Sequence, residues 1–270
     1  MCYTDSSERK IKIAMARKVM EHKELIRTVP GSPVAVLMIH GIAGTPMQFR
    51  DLVPLIPEDW TLHNIMLDGH GKEVEDFSHT SMEKWHRQVE AKVEELLSTH
   101  EKLIMVGHSM GTLFSIRTGV SHPDRVPFLF LLSVPSRAWV RFSTVTTIFK
   151  VRKGKRGPVD DQGRDLTNIS SIHFDRRLRK YLGWIPRFLE LLTEIRRVRR
   201  LIPKLEVPAY AFQSEVDELV SIRSCKDLAK NPRIQTTVLR DSGHCHYGPD
   251  DLTTIQNTLK EQIRQVQESL

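Results

Sequence analysis

The 270-residue chain has little cysteine: only Cys2, Cys225 and Cys245. So sparse, odd and unpatterned a set excludes a secreted disulfide framework and a zinc module. Long apolar runs are missing too. The longest lies near Val126–Val134, far short of a membrane span. Met1–Lys10 is polar and lacks the apolar centre of a signal peptide, so the expected location is the cytoplasm. There is no internal repeat and no low-complexity tract. With 40% apolar and 27% charged residues, 14 Gly and 14 Pro, the composition excludes collagen, a coiled-coil rod and wholesale disorder. A chain of this length buries about three quarters of its unfolded surface and needs no staples. It suits one large domain, or a core with an inserted subdomain.

What the chain does have is positive charge, a formal net of +7, and it is not evenly spread. From Arg137 to Lys204 there are 18 Lys/Arg against 6 Asp/Glu, a net of +12; the rest carries −5. The protein reads as a mildly acidic body with a strongly basic insert. Such an insert fits an anionic surface or substrate, or simply a solvated face.

Apolar residues at helical spacing (Ile11, Ile13, Ala14, Ala16, Val19, Met20) predict an amphipathic helix over 8–27, ended by Pro30-Gly31-Ser32-Pro33. Val34–Ile39 is a continuous apolar run, as in a strand buried on both faces. Similar runs recur at 62–67, 103–106, 128–132, 207–212 and 234–239, with helical stretches near 46–57, 80–99, 110–121, 221–230 and 251–268. Strands alternating with helices predict an α/β fold with a mostly parallel sheet. The alternation lapses between Ser133 and Pro208. There Arg152–Gly157 reads as a loop, and Phe188, Leu189, Leu191, Leu192, Ile195 and Val198 share one face of a helix with Pro186 in its first turn. An insertion at this point of a parallel sheet can form a lid over the strands' carboxyl ends. The expected layout is a helical extension (1–33), a core (34–134 and 205–270) and a small basic cap (135–204).

The strongest motif is Gly107-His108-Ser109-Met110-Gly111, a G-x-S-x-G between the strand 103–106 and a helical pattern from Thr112. In that context the serine occupies a sharp strand-to-helix turn with its hydroxyl presented outward. Acyl transfer also needs two N–H donors for a developing oxyanion. The Met110 amide is one candidate. The other is the Ile42 amide in His40-Gly41-Ile42-Ala43-Gly44, where glycine lets the backbone turn inward.

A serine needs a positioned base. Downstream stand His122, His173, His244 and His246. His244 follows the turn glycine of Asp241-Ser242-Gly243-His244, at a strand end where catalytic loops gather, and is favoured over His246. His246 reads as a solvated loop residue, and the H-x-H pair has no evident third metal ligand. After the strand 207–212, Glu215, Asp217 and Glu218 are all candidates for an acid that holds the imidazole tautomer. Asp217 is the middle one, in a D-x-x-V pattern; the two glutamates read as exposed loop charges.

His40–Gly44, Asp68-Gly69-His70-Gly71, Gly107–Gly111, Asp217–Val220 and Ser242-Gly243-His244 together resemble the α/β-hydrolase superfamily. The likeness is to its carboxylesterase and monoacylglycerol lipase group (serine aminopeptidase S33-like) with a small cap, over residues 34–266. The resemblance implies an α/β-hydrolase fold and a triad of Ser109, Asp217 and His244. It also implies an oxyanion hole of the Ile42 and Met110 amides, and carboxylic ester hydrolysis (EC 3.1.1) through an acyl-enzyme without metal or organic cofactor. Asp68–Gly71 would be a structural turn. Where relatives often carry an aromatic after His-Gly, this chain has Ile42.

Apolar cap residues Phe142, Ile148, Phe149, Phe174, Tyr181, Trp184 and Phe188 could line an acyl channel, with Trp184, Phe149 and Phe188 as substrate contacts; packing the cap onto the core is the competing reading. The expected substrate is a lipid or small-molecule ester: a monoacylglycerol, lysophospholipid or similar acyl monoester. Peripheral contact with an anionic membrane would use the basic charge. Thioesterase, acyltransferase or aminopeptidase activity on the same fold is the alternative, and a non-catalytic binding protein a more distant one. No aromatic–basic platform for nucleic acid occurs. Nothing in the sequence sets the oligomeric state.

Overall fold

A computed structural model describes residues 22–137, 171–172 and 177–270. Seven strands form one sheet: β1 (Leu25–Arg27), β2 (Val34–Ile39), β3 (Thr61–Ile65), β4 (Lys102–His108), β5 (Leu129–Leu132), β6 (Ala209–Ser214) and β7 (Ile234–Leu239), in the order β1-β3-β2-β4-β5-β6-β7. β2 through β7 pair in parallel and only β1 is antiparallel, against β3. This is the α/β-hydrolase fold that the alternating pattern and the motifs imply.

The helical expectation for 8–27 fails at its end. Residues 1–21 lie outside the described residues, but Leu25–Arg27 is an edge strand. Its run Leu-Ile-Arg-Thr-Val suits a pleated surface, and β3 would otherwise leave a row of backbone groups unpaired. The Arg27 guanidinium locks the strand by donating to the carbonyls of Trp60, Ile56 and Pro57.

The central strands alternate between two apolar layers. On β2, Ala35, Leu37 and Ile39 face one core, while Val34, Val36 and Met38 face the other. The first core is closed by α2 (Met82–Thr99), α3 (Met110–Ser121) and α4 (Trp184–Arg199), and the second by α6 (Pro249–Glu268). Two short helices, α1 (Val74–Ser78) and α5 (Cys225–Leu228), are the other α-helices among the described residues. α2 places Trp85, Val89, Val93 and Leu96 at three- and four-residue spacing, and the Ser81 hydroxyl caps its start by accepting from the Lys84 amide.

In the segment between β5 and β6, residues 138–170 and 173–176 lie outside the described ones, and with them the expected Arg152–Gly157 loop, Phe142, Ile148, Phe149 and Phe174. What is described is tied to the core. Asp227 on α5 is buried, and its carboxylate accepts from Arg137, just after β5, from Arg199, at the end of α4, and from Lys230. Glu194 on α4 is buried against His86 of α2 and Arg117 of α3. The single apolar face expected for α4 is in fact divided. Ile195 and Val198 pack into the core, whereas Phe188, Leu189 and Leu192 are exposed together with Leu182 and Ile185. Among the described residues no helix is long and apolar enough to cross a membrane.

Candidate active site

Ser109 joins β4 to α3 with φ 50° and ψ −119°, a backbone conformation that L residues rarely adopt. Close packing imposes it. A Cβ on Gly111 would lie 1.8 Å from the Ile39 carbonyl oxygen, and one on Gly107 only 2.7 Å from Gly111, Thr112 and Ser115. The motif glycines let α3 start against β2 and β4, which forces the chain through the tight turn at Ser109. Gly111→Ala is therefore expected to lose roughly 3 kcal/mol or more of stability, because the obstructing atoms are backbone and cannot rotate away. Thermal unfolding measures it: the midpoint should fall by at least several degrees.

Three residues expected from sequence come together here. His244 Nε2 lies 3.0 Å from Ser109 Oγ, and its Nδ1 lies 2.8 and 3.0 Å from the two Asp217 oxygens. All three side chains are buried. The carboxylate fixes the tautomer: Nδ1–H donates to Asp217, which leaves the Nε2 lone pair facing the serine hydroxyl. Burial alone would push the Asp217 carboxyl up. Electrostatic attraction to the His244 imidazole and its hydrogen bond, with the Val220 and Leu219 amides that donate to Oδ1 at 2.7 and 2.8 Å, outweigh burial and hold it below the usual range.

The loops carrying acid and base are braced against each other. The Ser214 hydroxyl donates to the Ser242 carbonyl, and Asp251 accepts from the Asp241 amide and the Ser242 hydroxyl. Glu218 is exposed, as its sequence suggests, and its carboxylate also accepts from the His244 amide at 2.9 Å. His108, the second motif residue, donates from Nε2 to the His244 carbonyl at 2.8 Å; burial and the nearby His244 push its pKa down to about 3, so it stays neutral. Neither contact is legible in sequence, since each joins residues more than 25 positions apart. His246 is half-buried rather than solvated.

Gly41 brings the loop after β2 onto the serine: a Cβ there would sit 3.0 Å from Ser109 Cβ. Gly44 N–H donates to the Gly41 carbonyl, closing a β-turn with Ile42 and Ala43 at its corners. Ala43 has φ 52°, a value such a turn normally gives to glycine. The Ile42 and Met110 amides find no acceptor among the described residues. Two open N–H donors, one in the loop after β2 and one at the start of α3, beside a buried serine hydroxyl form an arrangement that suits a developing oxyanion.

The other expected contacts lie elsewhere. Trp184 packs on Phe77 and Tyr181 and donates its indole N–H to the Val74 carbonyl, so it fastens α4 to α1. Phe188 stacks loosely on Trp184 and is exposed; Phe149 is outside the described residues. Among the described residues, the cluster with ligand atoms close enough for a metal is His108, His244 and Cys245, all within 4.8 Å, and not the His244/His246 pair. Binding there would compete with the relay, because both His244 nitrogens already have partners.

The family described as serine aminopeptidase, S33 (Hydrolase_4) matches residues 32–245. The chain belongs to that family. A thermostable monoacylglycerol lipase of Bacillus sp. (strain H-257) is 26% identical over 193 residues, 70% of this chain and 72% of the lipase. A carboxylesterase of Bacillus subtilis (strain 168) is 24% identical over 225 residues, 80% and 87% of the two chains. Among solved structures, that of the metagenome-derived lipolytic enzymes LipS and LipT gives a TM-score of 0.69 at 18% identity, over 92% of this chain and 99% of the other. The monoacylglycerol lipase of Paleococcus ferrophilus gives 0.59 at 16%, over 89% and 97%. The protein is an α/β hydrolase of the esterase and lipase type.

Proposed function

We propose that the protein hydrolyses carboxylic esters with a medium-to-long acyl chain, such as a monoacylglycerol or lysophospholipid, through an acyl-enzyme on Ser109. The observation that carries this reading is the unbroken relay from Ser109 Oγ through His244 to Asp217, at 3.0 and 2.8 Å. As Oγ attacks the ester carbonyl, His244 Nε2 takes its proton, and Asp217 stabilises the resulting imidazolium. The oxygen of the tetrahedral intermediate is held by the Ile42 and Met110 amides, dipoles already oriented before the charge forms. His244 then gives its proton to the leaving alcohol. A water activated by the same imidazole attacks the acyl-enzyme, and collapse of the second intermediate returns the proton to Ser109. The relatives' names, monoacylglycerol lipase and carboxylesterase, support an ester over an amide or thioester.

The segment 135–204 acts in this reading as a cap over the site. Its α4 presents exposed Ile185, Phe188, Leu189 and Leu192, beside exposed Leu182 just before it, with Arg196, Arg197 and Arg199 in its last turn. That pairing of apolar and basic groups suits the surface of an anionic lipid layer.

An acyl-chain series of esters, with matched thioesters and aminoacyl amides, tests the reading at low and high salt. Catalytic efficiency is expected to rise from acetyl to longer acyl esters and to exceed that on thioesters and amides. Activity on anionic lipid dispersions should fall with salt while soluble esters are unaffected, since surface charge is screened. Cleavage of acetyl esters alone at every salt concentration would overturn the acyl-chain assignment.

A further inference from the structure

The family likeness implies that the loop after β3 is a structural turn, yet it meets the loop that carries the Ile42 amide at three points. His40 and His70 exchange bonds: His40 Nε2 accepts from the Leu67 amide at 3.1 Å, and His70 Nε2 accepts from the Ala43 amide at 3.0 Å. A backbone N–H can only donate, so both Nε2 atoms are unprotonated. The protons sit on Nδ1, where His40 donates to the Gly41 carbonyl and His70 to those of Leu67 and Asp68. The rings meet edge-on with centroids 4.7 Å apart and are fully buried, His70 also packing on Phe77 and Trp85. Burial pushes the His70 pKa down to about 4 and that of His40 well below its usual value, which keeps both acceptors available. The third bridge is Ser171. Its buried hydroxyl donates to the Gly44 carbonyl at 2.5 Å and accepts from the Gly71 amide at 3.0 Å. Ser171 belongs to the segment between β5 and β6.

We propose that His70 and Ser171 are positioning residues for the oxyanion hole: they hold the 41–44 turn in the orientation that aims the Ile42 amide at the reacting carbonyl. The physical reason lies at Ala43. Its positive φ is a conformation alanine leaves readily, and the peptide between Ile42 and Ala43 is the part of a β-turn that flips most easily. His70 grips the N–H of that peptide, and Ser171 grips the carbonyl one residue on. The Ile42 N–H belongs to the neighbouring Gly41–Ile42 peptide and keeps its aim while this corner keeps its shape; without the His70 and Ser171 bonds, Ala43 is free to relax to a negative φ, which resets the turn and shifts the Ile42 corner relative to Ser109. Because Ser171 comes from the basic segment, the seating of that segment on the core bears directly on the readiness of the hole.

This inference rests on the serine-hydrolase reading, and the test separates the two. The readout is the rate at which an alkyl fluorophosphonate labels Ser109, which needs the nucleophile and the oxyanion donors but no cognate ester. His70→Phe keeps a ring between Phe77 and Trp85 and removes the acceptor; labelling is expected to slow roughly 10- to 100-fold, the scale of a misaimed catalytic group. His70→Gln retains an acceptor near the same place and should recover most of the rate; if the Phe variant fails to fold, Ser171→Ala carries the test. Ala43→Gly in the His70→Phe background should restore at least threefold, since glycine holds a positive φ unaided. Ser171→Ala is expected to slow labelling by about 3- to 10-fold, a misaiming smaller than that from losing His70. If folded His70→Phe and Ser171→Ala both label within twofold of wild type, the positioning role is wrong and the hydrolase reading stands. If wild type itself does not label, the hydrolase reading fails and this inference falls with it.

Discussion

Ser109→Ala is expected to lower kcat on a soluble ester by roughly 10⁶-fold with the fold intact, the scale seen when a nucleophile is removed from a serine triad. The oxyanion donors and binding surface remain, so a residual rate roughly 10³- to 10⁴-fold above water should persist. Ser109→Gly makes a second, opposite point. The serine's φ of 50° is imposed by the contacts of Gly107 and Gly111 rather than preferred. Strain of this kind is worth about 1–3 kcal/mol, and glycine is free of it. After allowing for the lost bond to His244, Ser109→Gly should be more stable than wild type by about 1 kcal/mol. For a protein of this size that corresponds to a midpoint higher by about 2–4 °C in calorimetry. Activity falling while stability rises is the signature of a functional site held in strained geometry.

Asp217→Asn is expected to reduce kcat by roughly 10⁴-fold with little change in KM. The local bonds give the reason. Oδ1 accepts from the Leu219 and Val220 amides, so the carbonyl oxygen of an asparagine would take that place and its NH2 group would face His244 Nδ1. Nδ1 would then have to accept, the proton would move to Nε2, and Nε2 could no longer take the proton of Ser109. Glu215→Gln and Glu218→Gln, at the other carboxylates that the sequence left open, should stay within a few-fold of wild type; a glutamine at 218 can still accept from the His244 amide. The stability effect has a definite sign. The Asp217 pKa is lowered in the folded state, so its contribution is present above the unfolded value near 3.8 and is lost as pH falls through the lower folded value. Asp217→Asn should therefore lose stability at neutral pH and show a shallower acid limb than wild type.

Much of the architecture was legible because local pattern and tertiary demand agree. Val34–Ile39 is apolar throughout because both of its faces are covered, and the G-x-S-x-G run carries the steric reason for its glycines within five residues. In the acid loop the D-x-x-V pattern and the family likeness both favour Asp217; the physical reason, which neither states, is the pair of amides at 219 and 220 that donate to its carboxylate. The Leu25–Arg27 strand was hidden because an edge strand is decided by the vacant side of β3, a partner remote in sequence. His70 was hidden for a similar reason. Its neighbours predict a turn, and only the fold reveals that its ring reaches Ala43, 27 residues away. The face of α4 was misjudged because periodicity identifies a stripe without saying how much of it meets the core.

Covalent trapping of Ser109 in the folded protein tests the central claim most directly. After reaction with a fluorophosphonate, intact mass and peptide mapping should show one adduct per chain, on the peptide that contains Ser109. The adduct should be absent from Ser109→Ala and from heat-denatured wild type. No adduct on Ser109 in folded wild type, or equal labelling of Ser109→Ala, would contradict the account.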